Sequence, residues 1–541
     1  MRRSNDACLT RARGIALNLA ACLAATAVAA FPAPEARAAE KTIVMGIEGD
    51  PLALDPHTHG LWLTARIVSG MFEGLVQQDL TKSGVPIAEI VPALAESWTI
   101  SDDKIVYTFA LRKGVKFHDG EPWNAQAAKF NFDRIMDKSS PQFYEKAYQQ
   151  NGWWRQDVAS YEVVGEHTFK VTLKHPSAEF LRRLSQGGVG SAWMASPKAL
   201  TASPKDDFAK APVGTGPFKF VARVHGEKIE LAKNAAYWDP KRTPQYDRLI
   251  YLPMVDVTAR EQALMTGAID IAATPSPDNS ALLETKGFTL IKGEVPTVYL
   301  IWLNLKEKPL QDVRVRRAIS MAFDRDGLSK KLRLGQSISA YSILNIGGPG
   351  YEPGYSCNAY NPDEAKRLLA EAGYADGLEL KMIWTPGGAG DVGMVADAEW
   401  FQRNLAAVGV KSTIDVRDIG SFFTMMNQGM PAGSSMLQIS WGENSFNWLD
   451  AVLPSSALPP NGYNSGYYQN PTVDKLLEEA RKSPTEADMV GKLKQIRDII
   501  CDDASFIPTH SPLGVVAMSK QIKGFVMPPQ HWPDMAIVRK D

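Results

Sequence analysis

Two strand–helix–strand units, far apart in the chain, constrain this sequence more than any other feature. In the first, Leu249–Met254 reads as a strand, Thr258–Thr266 as a helix closed by Gly267, and Ala268–Ala272 as a second strand. In the second, the strand Leu378–Trp384 is followed by a helix from about Met394 to Val408 and a strand Val410–Val416. Short apolar runs alternating with helices imply α/β sheets. At 541 residues the chain exceeds what one compact core accommodates, so two or three domains are expected.

A different pattern occupies Val91–Ile135. Ile105, Tyr107, Phe109 and Leu111 alternate with Val106, Thr108, Ala110 and Arg112, the period of a half-buried strand. Ser101–Asp103 forms the turn from a preceding strand at Trp98–Ile100, and Asn124 caps a helix bearing Phe130, Phe132 and Ile135. Tyr161–Val164 and Thr168–Leu173 read as another hairpin. Elsewhere Thr42–Ile47 is a buried strand and Leu61–Val76 a helix. Asn361 and Pro362 open a helix, and Arg314, Arg316 and Arg317 lie on the solvated face of another.

The N-terminus carries an export signal. Arg2, Arg3, Arg11 and Arg13 precede an apolar stretch from Gly14 to Phe31, and Ala36-Arg37-Ala38 is a small-x-small cleavage site. Leu19–Cys22 offers a rival lipid-modification site, which would anchor the chain through Cys22. After cleavage only Cys357 and Cys501 remain. An oxidising compartment permits a disulfide between them, and two separate buried thiols are the alternative. No later stretch reaches the length of a membrane span. The mature protein is expected to be soluble and periplasmic.

Composition and motifs exclude several classes. The formal net charge of −1 leaves no basic footprint for nucleic acid. Gly-x-Ser-x-Gly, His-Glu-x-x-His and paired carboxylates on a shared loop are all missing, which argues against a hydrolase. Gly388, Gly390 and Gly393 spell G-x-G-x-x-G between a strand and a helix. An exported protein meets no pool of nicotinamide cofactor, so no cofactor is expected. The same glycine loop, as a helix start, suits an anion such as a ligand carboxylate. His57 and His59 form an H-x-H, read as two solvated loop histidines rather than a metal site, because further ligands are lacking.

Five segments carry a resemblance. These are Pro92–Trp98, Leu111–Gly120, Gly214–Phe218, Asp312–Ile319 and Pro362–Tyr374. In order and spacing they resemble the large family 5 extracytoplasmic solute-binding proteins of peptide and nickel ABC importers, over nearly the whole mature chain. The resemblance implies a type II periplasmic-binding fold with two lobes, a hinge and an extra subdomain inserted in the first lobe. The expected division is a signal peptide over 1–39, lobe I from 40–80, 213–297 and 506–541, the inserted subdomain over 81–212, and lobe II over 298–505. It also implies a monomer working with an inner-membrane permease and, through it, an ATPase. In peptide-binding relatives the strand matching Met436–Trp441 ends in Trp, and a nearby Asp pairs with the ligand ammonium. Here the nearest acid is Glu443. The expected ligand is a short peptide or peptide-like zwitterion: a dipeptide, oligopeptide or glutathione. Glu443 would take the ammonium, the loop of Gly388 and Gly390 the carboxylate, and Trp441, Trp193 and Trp384 the apolar parts. Carriage of a nickel or metal chelate, with His57, His59 or His510 as ligands, is the alternative within transport, as is an opine or oligosaccharide.

Overall fold

A computed structural model describes residues 40–541 apart from 59–61, 186–191, 388–392 and 444, and the side chain of residue 419. The first sheet is built on Thr42–Ile47, which lies between Arg248–Pro253 and Ile271–Ala273 and runs parallel to both. The last two are the strands of the first strand–helix–strand unit, joined by the helix Val257–Thr266. Asp256 caps that helix through the Ala259 amide, and Gly267 ends it at φ 77°, a conformation that glycine adopts without Cβ strain. His510–Met518 and Thr289–Glu294 extend the sheet on one side, Lys228–Lys233 and Phe218–Val224 on the other.

The second lobe has its own sheet, ordered Val410–Val416, Leu378–Trp384, Met436–Trp441, Val298–Leu303, Phe506–Pro508. Its first two strands are parallel and joined by the helix Met394–Ala407, as the sequence pattern requires. Val298–Leu303 is buried along its whole length, which explains its unbroken apolar run. The chain passes directly from a strand of one sheet to a strand of the other at two places. Val295–Thr297 leads from Thr289–Glu294 into Val298–Leu303, and Thr509 alone separates Phe506–Pro508 from His510–Met518. A third, antiparallel sheet, ordered Ala95–Ile100, Val106–Leu111, Thr168–Leu173, Val158–Gly165, is covered by the helix Ala125–Met136. The Asn124 side chain caps this helix, accepting from the Ala127 amide at 3.0 Å.

Two of the segments that carry the resemblance, Leu111–Gly120 and Gly214–Phe218, meet at one turn. Glu73 is buried and accepts from Thr215 at 2.8 Å, Tyr237 at 2.6 Å and Trp238 at 2.9 Å. His118 Nε2 donates to the Gly216 carbonyl at 2.9 Å. Burial pushes this imidazole down to about 4, so it is neutral. Glycine is required in the turn because a Cβ on Gly214 would lie 2.1 Å from the Met71 carbonyl oxygen, and one on Gly216 2.6 Å from that of Gly70. Gly214→Ala is therefore expected to destabilise the protein by about 1–3 kcal/mol. A urea titration that finds its midpoint unchanged would remove this account of the turn.

The structure corrects three expectations. The first helix spans only Trp62–Val68. The carbonyls of Gly70 and Met71 instead accept from Phe218 and Gly216, both at 2.9 Å, and Val76–Gln78 pairs as a strand with Ile90–Pro92. Arg316 is buried rather than solvated, its guanidinium bonded to the carbonyls of Asp503, Leu310 and Gln311. Arginine suits such a site because it carries several donors in fixed directions. His57 is buried too: Arg134 donates to its Nδ1 at 2.7 Å, and its Nε2 donates to the Trp193 carbonyl at 2.7 Å. Asp55 completes this cluster by pairing with Arg134. The remaining cysteines are bonded to each other, Cys357 to Cys501.

Candidate functional site

Glu443 lies two residues beyond the strand Met436–Trp441 of the second lobe. Gly442 lets the chain leave that strand against the first crossing, because a Cβ there would lie 2.2 Å from the Pro296 carbonyl oxygen. The Glu443 carbonyl accepts from Asn345 at 3.2 Å. Burial pushes the Glu443 carboxyl up to about 7; Arg183 opposes the rise and Glu179 adds to it. Both neighbours belong to the chain around the helix Phe180–Ser185, which comes from the inserted subdomain. The subdomain and the second lobe therefore meet around this carboxylate.

The meeting place is a buried charge cluster. Arg183 is 1% exposed and bonds Asp157 at 2.7 Å. Its other terminal nitrogen lies 3.9 Å from Asp450, which is paired with Arg481 at 2.8 Å. Arg183 also lies over the rings of Trp153 and Phe446, each at 5.6 Å. Glu179 pairs with Arg182 at 3.4 Å, and Arg182 approaches Glu486 at 3.9 Å. His175 stands 3.6 Å from Asp157. The Ala178 amide bonds the Ser483 carbonyl at 2.9 Å, a backbone link between the same two parts. Among the described residues, Asp157 Oδ1, Glu179 Oε2 and two nitrogens of Arg183 have no hydrogen-bond partner. Burial raises the Asp157 and Glu179 carboxyls, and the nearby arginines, Arg183 for one and Arg182 for the other, only partly reverse it.

A second charged group lies at the ends of the parallel strands of the first lobe. Arg66 bonds Glu48 at 2.6 Å and its guanidinium sits 4.7 Å from the Trp62 ring centre. Its Nη2 reaches the His531 carbonyl at 3.4 Å. Burial alone would raise the Glu48 carboxyl, but Arg66 and Arg260 outweigh it and hold it below the usual range. His531 bonds Thr297 in the first crossing at 2.6 Å. None of these residues is conspicuous in the sequence. Arg66 lies in an apolar helix, and the groups that make it notable come from opposite ends of the chain.

The other candidates are scattered. Trp441 is partly buried and faces Tyr463, with ring centres 5.5 Å apart. Trp384 is 2% exposed within the core of the second lobe. Trp193 lies in the core of the first lobe. His510 is buried and stacked on Tyr299 at 4.7 Å. Gly388, Gly390 and His59 lie outside the described residues. Among the described residues, no group of three or more His, Cys, Asp or Glu is placed to hold a metal ion. No helix among them is long and apolar enough to cross a membrane.

Comparison with known proteins places this arrangement. The profile described as bacterial extracellular solute-binding proteins, family 5 Middle, matches residues 89–491. The glutathione-binding protein GsiB of Salmonella typhimurium is 31% identical over 517 residues, covering 94% of this chain and 96% of its own. The periplasmic binding protein DppA of Helicobacter pylori, solved with the peptide STSA, is 26% identical and superimposes with a TM-score of 0.79, covering 93% of this chain and 98% of its own. A dipeptide-binding protein of Pseudoalteromonas solved with Met-Leu superimposes with a TM-score of 0.81 at 23% identity, covering 93% of this chain and 100% of its own. The chain belongs to the bacterial extracellular solute-binding proteins of family 5.

Proposed function

We propose that this protein captures a short peptide or peptide-like zwitterion, of the dipeptide, oligopeptide or glutathione kind, and delivers it to the permease of an ABC importer. Export by the N-terminal signal puts it in the periplasm, where it acts without making or breaking bonds. One observation carries the reading. At the junction of the subdomain and the second lobe, the carboxylates of Asp157, Glu179, Glu443, Asp450 and Glu486 outnumber the guanidiniums of Arg182, Arg183 and Arg481, with His175 beside them. A ligand ammonium supplies the missing positive charge through charge-assisted hydrogen bonds. Glu443 is its acceptor, and Trp441 with Tyr463 forms an apolar wall beside it. A ligand that touches both parts binds the closed arrangement better than the open one, and so shifts the population toward it. The likeness to proteins named for glutathione and for peptides supports the same class.

Titration calorimetry of the mature chain with glutathione and with a dipeptide tests this. Glu443→Gln is expected to weaken binding by about 10–100-fold. The pH dependence has a definite sign. The ammonium pairs with the ionised carboxyl, and the ligand-free carboxyl titrates at about 7. Affinity should therefore be full above that pH and fall by up to about tenfold per pH unit below it. The Gln variant should lose this dependence. Unchanged affinity in the variant at pH 8 would end the role given to Glu443; failure of the wild type to bind either ligand would end the functional reading.

A further inference from the structure

We propose that Arg66 binds a carboxylate of the ligand on the first-lobe side of the hinge. This rests on the reading of the ligand as a zwitterion and assigns its anionic end. The guanidinium is already held in place. Nη1 is committed to Glu48, and the Trp62 ring lies against the group. The opposite edge is underused: Nη2 has only the 3.4 Å contact to the His531 carbonyl, and among the described residues Nε has no hydrogen-bond partner. An edge that offers Nε and one Nη matches the two oxygens of a carboxylate.

A second arginine shares the acidic neighbour of Arg66. Glu48 lies beside both Arg66 and Arg260. Arg260 spends its donors on the carbonyls of Ala273, Met254 and Thr274, which carry no net charge. Glu261, its other acidic neighbour, is engaged with Ser276 and Asn279, and Asp256 caps a helix. His531 adds no further positive charge, since burial pushes its imidazole down to about 3 and leaves it neutral. It is therefore the free donor edge of Arg66, not a surplus of positive charge, that would hold a ligand carboxylate beside Glu48.

Position completes the case. A cavity of about 30 Å³ is lined by Arg66, Thr274, Val295, Leu513, Met527 and His531. It lies at the carboxyl ends of the parallel strands, where open α/β sheets bind their ligands. It also connects to the acidic cluster through few residues. Arg66 touches His531, His531 bonds Thr297, and the Pro296–Thr297 backbone packs against Gly442, the neighbour of Glu443. Cationic and anionic groups thus stand on either side of the first crossing, as a ligand with opposite charges at its two ends requires.

The test compares a dipeptide free acid with its C-terminal amide, and with glutathione, by titration calorimetry of the full mature chain. The wild type is expected to prefer the acid by about tenfold or more. Arg66→Gln should lose that preference while binding the amide as the wild type does. Arg66→Lys keeps the charge facing Glu48 but not the two-donor edge. It guards against a folding defect and should lose at least about threefold of the preference. Retention of the full preference in the folded Lys variant, or its absence in the wild type, would overturn the assignment while leaving peptide capture intact. A wild type that binds none of the three probes would overturn both.

Discussion

Arg183→Met is expected to destabilise the protein by about 3–5 kcal/mol, because it leaves a buried carboxylate without its countercharge. Arg183 and Asp157 are both almost wholly buried and bonded at 2.7 Å. Asp157, Glu179 and Glu443 all feel the Arg183 charge, and their carboxyls already stand above the ordinary range. Its removal raises them further. The loss should therefore depend on pH. Above neutrality the orphaned carboxyls must ionise in place at full cost. As the pH falls through about 7, where Glu443 titrates, the folded chain takes up protons that the unfolded chain releases, so the deficit shrinks. Denaturant titrations at pH 5.5 and pH 8 measure both effects. Adding Asp157→Leu should restore much of the loss, since a buried pair replaced on both sides leaves no unpaired charge. A loss under about 1 kcal/mol at pH 8, or one insensitive to pH, would show that the cluster does not hold the subdomain to the second lobe in this way.

Removal of the disulfide should cost about 2–5 kcal/mol. Cys357 and Cys501 are 144 residues apart in sequence, and the bond closes a long loop containing most of the second sheet. Chain entropy gives the bond its effect: the unfolded state loses more freedom than the folded state, and a loop of this length lies near the upper end of the range. Cys501 lies near the end of the helix Glu486–Asp503, whose Arg497 and Asp498 also bond Glu352 and Tyr355. The bond thus secures a segment that already docks through polar contacts. Thermal melts with and without reductant should differ for the wild type and coincide for the Cys357→Ser, Cys501→Ser variant. A variant within about 1 kcal/mol of the wild type would mean the loop is held by other contacts.

How much of this was legible in the chain differed by kind of residue. The alternation through Ile105–Leu111, the caps at Asn124 and Asn361 and the glycine after Thr266 are local signals, and each marks its element in the structure. Arg316 and His57 were misread because the carbonyls and charges that hold them come from Asp503, Trp193 and Arg134, remote in sequence. The first helix was overextended for the same reason: the carbonyls that would have continued it are taken by the turn at Gly216. The candidate site was visible only in part. Glu443 stands out at a strand end, but its neighbours Glu179 and Arg183 lie in another subdomain and show no pattern that joins them. Arg66 becomes notable only when Glu48 and His531 are brought to it.

The second crossing is bonded to the strand that the first one leads into. Thr509 donates its amide to the Tyr299 carbonyl at 2.8 Å, and Phe506–Pro508 pairs along Val298–Leu303 just beyond. The second connector therefore continues the ladder of the second lobe by one residue, up to the bend. A change of angle between the lobes can then fall on the few connector residues beyond that bond and leave the ladders in place. Opening and unfolding are then separate events: the first turns a few connector residues, the second breaks the sheets.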